Sequence, residues 1–154
     1  MAAHAGACGD LRAPVPQPAP PPPDARVVVE HARCYGNCPA YTLTVHPDGL
    51  MEWEGKSDVA AKGRATRHIG HDAAREIFDL LERVHFTSLD KEYLSNATDL
   101  ALTRVTLERG SVNHSVVADG ACKTRASIEA GLCYLTSRID ELAEASKLIE
   151  ARDE

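Results

Sequence analysis

What the chain lacks narrows its function first. Basic charge is short: 17 Lys and Arg stand against 23 Asp and Glu, for a net charge of −6. A nucleic-acid binder needs a basic patch to release the counterions of the phosphates, so no nucleic-acid partner is expected. Long apolar runs are missing as well. Nothing approaches the ~18 consecutive apolar residues of a membrane-crossing helix, and a soluble domain is expected. The short motifs of many enzymes are also missing: there is no glycine-rich phosphate loop, no H-E-x-x-H, and no ordered Ser, His and Asp set. On these grounds no cofactor, metal or catalytic residue is expected.

What is present divides into a leader and a domain. In 154 residues, 44% are hydrophobic and 26% charged, the composition of an ordinary globular protein with one core. From Pro14 to Pro23, seven of ten residues are proline. Proline fixes φ and removes the backbone donor, so this run is a polyproline-II spacer that rises about 3 Å per residue. Just upstream, Ala5-Gly6-Ala7-Cys8 matches the end of a bacterial lipoprotein signal and makes Cys8 the candidate lipidation site. The apolar segment that such a signal requires does not stand ahead of it. Two readings stay open: a tether held to a membrane through a lipid, and a disordered cytosolic tail. The expected organisation is a disordered proline-rich leader over 1–25 and one domain over 26–154.

Strand periodicity begins at Arg26. Val27-Val28-Val29 is β-branched, and Tyr41-Thr42-Leu43-Thr44-Val45 alternates apolar with polar, which puts Tyr41, Leu43 and Val45 on one face. Pro47-Asp48-Gly49 is a turn signal, after which Leu50–Gly55 alternates again, so the two runs predict a hairpin. A fourth strand is expected near 66–69. Ala73, Ala74, Ile77, Phe78, Leu81 and Val84 then recur at helical spacing, and residues 87–99 read as a loop. A second hairpin follows over 100–107 and 112–117. There Leu102, Val105 and Leu107 fail to alternate, which points to a bulge near Arg104. A single long helix from Lys123 closes the chain; at 1.5 Å per residue it would span about 40 Å and overhang the domain. The order ββββαββα predicts a two-layer α+β domain, with a mostly antiparallel sheet and two helices packed on one face.

Arg33-Cys34-Tyr35-Gly36-Asn37-Cys38-Pro39-Ala40-Tyr41 is the most unusual stretch. The Cys34/Cys38 pair admits three readings. In a disulfide, the segment must curl, because residues four apart reach about 13 Å when extended while bridged Cα atoms need roughly 4.4–6.8 Å. Such a ring would contribute about 2 kcal/mol on the chain-entropy model. In a metal or redox site, His31, Cys34, Cys38 and Cys122 would gather, although C-x3-C is not the redox spacing and zinc sites favour two tight pairs. In a cytosolic protein the two thiols would be reduced. Cys122 and Cys133 are expected not to bridge each other, since eleven helical residues rise about 16 Å, and Cys133 reads as a small buried apolar residue.

The same stretch, followed by Asp48-Gly49, Trp53-Glu54-Gly55, Gly63, Tyr93 and Thr98-Asp99, resembles a bacterial domain family of unknown function. Its members carry a C-[FY]-G-x-C-P-x-Y signature and are often secreted or lipoprotein-borne. The resemblance covers about residues 27–142 and departs at Gly120-Ala121-Cys122, where a Gly-Ala-Pro step is expected. It implies a Cys34–Cys38 disulfide, a possible lipid on Cys8 and a place in the cell envelope or periplasm; a cytoplasmic place is the alternative. Tyr35, Tyr41, Asp99 and Cys122 form the candidate functional surface. The leading expectation is a non-enzymatic cell-envelope module with a protein partner, touching a membrane only through a lipid. The rivals are a metal- or thiol-dependent enzyme built around the cysteine loop, and an interaction or inhibitor domain using the C-terminal helix.

Overall fold

A computed structural model describes residues 19–97 and 99–150. The first eighteen residues with Cys8, then Thr98, and residues 151–154 lie outside the described residues. Four strands come first: β1 (Arg26–His31), β2 (Ala40–Val45), β3 (Leu50–Ser57) and β4 (Gly63–His68). Helix α1 (His71–Arg83) and a 3-10 turn at Phe86–Ser88 follow. The chain continues through β5 (Glu92–Tyr93), β6 (Leu102–Arg109), β7 (Val112–Asp119), α2 (Arg125–Glu129), α3 (Leu132–Leu142) and α4 (Ser146–Ile149).

The expected α+β class is observed, and the described residues form a sheet of seven strands in the order β4-β3-β2-β1-β6-β7-β5. Every pairing is antiparallel except that of β5 with β7. The alternation read from the sequence is the reason the sheet is one-sided. Val27, Val29, Leu43, Val45, Met51, Trp53, Val105 and Leu107 join Ile77, Leu81, Leu132, Leu135 and Ile139 in one buried cluster. The intervening Thr42, Thr44, Glu52, Glu54 and Arg104 remain partly or fully exposed on the other face.

Several expectations are corrected. The loop over 87–99 contains β5, a two-residue strand held only through Glu92↔Val117 and Tyr93↔Ala118, too short to leave a periodic trace. No bulge falls near Arg104. Thr103, Val105 and Leu107 form the inward set while Leu102 is 44% exposed, so the alternation is clean once a threonine is admitted to the core side. The register shift falls instead between Ala40 and Tyr41, where both side chains turn inward directly after Pro39.

The largest correction concerns the C-terminus. The single long helix is three short ones. Gly131 takes φ 83° and ψ 8°, a left-handed conformation that ends the first segment before α3 begins. Glu144, at φ 55°, breaks the chain again before α4. Nothing overhangs among the described residues: Ala60 and Ala61 donate their N–H groups to the Ile149 and Leu148 carbonyls, and Leu148 is buried. The break also permits what an unbroken helix forbids, a disulfide between Cys122 and Cys133 with Cα atoms 4.5 Å apart. Cys133 is therefore a half-buried bridging residue rather than a free apolar one.

Candidate functional site

The site forms where β1, β2 and β6 end together. Cross-strand register sets His31 opposite Tyr41 on one side and opposite Thr103 on the other. All three continue the inward parity of their strands, so a polar row stands at the end of an otherwise apolar layer. Tyr41 is 3% exposed and stacks on Trp53, with ring centroids 4.6 Å apart. Trp53 is fixed in turn by its indole N–H, which donates to the Ala61 carbonyl at 2.8 Å. That loop passes so close to β3 that a Cβ on Gly55 would lie 1.9 Å from Ala61 O. The Trp53-Glu54-Gly55 step thus has a packing cause.

Asp140, from the inward side of α3, completes the row. The Tyr41 hydroxyl donates to Asp140 Oδ2 at 2.9 Å, and His31 Nε2 approaches the same oxygen at 3.3 Å. Thr103 Oγ1 lies 3.3 Å from His31 Nδ1. Burial, and then the charge and hydrogen bond of Asp140, hold the Tyr41 phenol far above its ordinary range. Two atoms in this row, His31 Nε2 and Asp140 Oδ1, are buried without a hydrogen-bond partner. Groups of that kind are uncommon in folded proteins.

Above the row opens a cleft of about 330 Å³ lined by residues that include His31, Cys38, Asp99, Cys122, Lys123 and Asp140. Cys38 belongs to the Cys34–Cys38 disulfide, whose Cα atoms are 5.7 Å apart, and Cys122 to the second bridge. The two bridges therefore meet at one opening. A larger hollow of about 420 Å³ lies on the open sheet face between Thr42, Thr44, Glu52, Glu54, Arg64 and Thr66. Its side chains are mostly solvated strand residues, so the chemistry concentrates in the cleft.

The residues singled out from the sequence are distributed unevenly. Asp99 and Cys122 line the cleft, and Tyr41 lies under it through Asp140. Tyr35 is 88% exposed at the tip of the small ring and is not part of the lining. The sequence reading missed Thr103, Lys123 and Asp140. Asp140 carried a usable signal, because it follows Leu132, Leu135, Thr136 and Ile139 on the buried stripe of α3, where a carboxylate needs a partner. Among the described residues no group of three or more His, Cys, Asp or Glu has a metal-holding arrangement. No helix among them is long and apolar enough to cross a membrane.

No curated protein matches the chain. Residues 25–143, most of its length, match a family described as Domain of unknown function (DUF6438), in line with the resemblance to a family of unknown activity; the chain belongs to that family.

Proposed function

We propose that this chain is a non-enzymatic module of the cell envelope, carried by its proline-rich leader over 1–25 and stapled at one end of the domain over 26–154. The observation that carries the reading is the pair of disulfides, Cys34–Cys38 and Cys122–Cys133. Bridges of this kind persist in oxidising compartments and are rare in the cytosol. The leader suits a spacer, with Cys8 as the lipid attachment point and a protein as the partner of the exposed end. The test is intact mass and peptide mapping without reductant, on protein recovered from the periplasm. Both bridges are expected. Free thiols at all four positions in folded periplasmic protein would overturn the reading.

A second reading, a thiol-dependent enzyme built around the cysteine loop, draws on one observation: Cys38 and Cys122, from different bridges, line one cleft.

A further inference from the structure

We propose that the two disulfides form an exchange relay, in which a dithiol substrate delivers two electrons at Cys122–Cys133 and the cleft passes them to Cys34–Cys38. This rests on the thiol-dependent reading and names its substrate class. Two observations carry it. Cys122 is exposed and Cys133 half-buried, so the second bridge is open to attack. Cys38 and Cys122 line the same 330 Å³ cleft, with Lys123 beside them to favour a thiolate.

The steps balance. A substrate thiolate attacks the Cys122–Cys133 bond, and the second substrate thiol resolves the mixed disulfide, leaving oxidised substrate and the Cys122 and Cys133 thiols. The Cys122 thiolate then attacks Cys38 Sγ, forming Cys38–Cys122 and releasing Cys34 as thiolate. Cys133 attacks Cys122 Sγ, restoring Cys122–Cys133 and releasing Cys38. The net change is a substrate disulfide formed, the Cys34–Cys38 bond broken, and two protons moved from the substrate thiols to Cys34 and Cys38. The bridge that spans the helix break is kept, and the exposed ring carrying Tyr35 is opened.

The test uses the full chain with Cys8→Ser, one equivalent of dithiothreitol, and alkylation at timed intervals followed by peptide mapping. Labelled thiols are expected first at Cys122 and Cys133, then at Cys34 and Cys38, as the label on the first pair declines. In parallel, Cys34→Ser with Cys133→Ser in the same background leaves only Cys38 and Cys122, which are expected to join when glutathione disulfide is added. If label never moves between the pairs, or if those two cysteines stay free, the relay is wrong, while reducible bridges still leave a thiol-dependent enzyme standing. If neither bridge in the folded protein accepts electrons from dithiothreitol, both ideas fail together.

Discussion

Tyr41 and Asp140, 99 positions apart in the chain, meet at 2.9 Å with the phenol as donor. This contact ties β2 to α3 beneath the cleft and occupies one of the two oxygens of Asp140. The other oxygen has no partner. Tyr41→Phe keeps the stack on Trp53 and removes the only hydroxyl that reaches Asp140 from β2. A hydrogen bond to a charged group contributes about 1.5–3 kcal/mol. The urea midpoint of Tyr41→Phe is therefore expected to fall by that equivalent at unchanged slope. An unmoved midpoint would show that the contact contributes nothing.

The same phenol gives the protein an alkaline limit. Burial and Asp140 raise its folded pKa, so the fold favours the neutral form. Its contribution is complete below the unfolded pKa of about 10 and is lost as pH rises above that value. Wild-type stability should decline above about pH 10 more steeply than that of Tyr41→Phe, measured by urea unfolding across the alkaline range. Parallel curves for the two proteins would refute this assignment.

At the opposite end of the pH scale, Glu108 on β6 is held below the usual carboxylate range, chiefly by its hydrogen bond to Arg26 on β1 and further by that charge. Its contribution is present above the unfolded pKa of about 4.3 and is lost as pH falls through the lower folded value. Both side chains are substantially exposed, 48% and 32%, so solvent screening limits the pair to about 0.2–1 kcal/mol. Arg26→Gln should remove this increment at low salt and little at high salt. A salt-independent loss would point to packing of the arginine stem instead.

Gly55→Ala tests the close approach of the loop after β3. The new methyl would meet Ala61 O at 1.9 Å and Trp53 Nε1 at 2.9 Å, so the loop must move and the indole bond must break. Overpacking of this kind costs typically about 1–3 kcal/mol, and here a hydrogen bond is lost as well. Trp53 is the single tryptophan of the chain and 2% exposed, so its fluorescence reports the event without interference. A red shift with a lowered melting temperature is expected; native emission and stability would mean that the loop yields freely.

Removing the bridges singly should rank them by ring size. The chain-entropy model assigns about 2 kcal/mol to Cys34–Cys38 and about 3 kcal/mol to Cys122–Cys133. Paired Cys→Ser variants, compared by urea unfolding, are expected to follow that order. The reverse order would mean that the small ring stabilises the native state by more than loop closure.

How much of this was legible depended on how local the cause was. The β2–β3 hairpin could be read because Tyr41, Leu43 and Val45 alternate within one strand and Asp48 makes its own turn, accepting from the Leu50 N–H. The stripe of α1 was equally local, and Ala74, Ile77, Phe78 and Leu81 are buried as their spacing implies. Thr103 was overlooked because a threonine does not register in an apolar alternation, although its parity with Val105 and Leu107 turns it inward, opposite His31. The helix break was hidden because the apolar spacing continues through Gly131, while the left-handed backbone there is a single-residue event. From that one error followed the exclusion of the Cys122–Cys133 bridge. In the cleft, Asp99 and Cys122 were identified and Asp140 was not: its place on the stripe of α3 signals that it needs a partner, but only the tertiary fold shows that Tyr41 and His31 face it.

The sheet order has a consequence for how the protein is made. Among the described residues β1 comes first in chain order, yet it lies in the interior of the sheet, between β2 and β6. Its pairing with β2 closes within a short stretch, whereas Val27 must wait for Leu107 on the other side. During synthesis the four-stranded meander therefore presents Val27, Val28 and Val29 as a bare edge, the kind of surface that pairs readily with another chain. Pairings so distant in sequence also make folding slow. The nascent chain remains adhesive until β6 arrives, and the second hairpin acts on its own product as a shield.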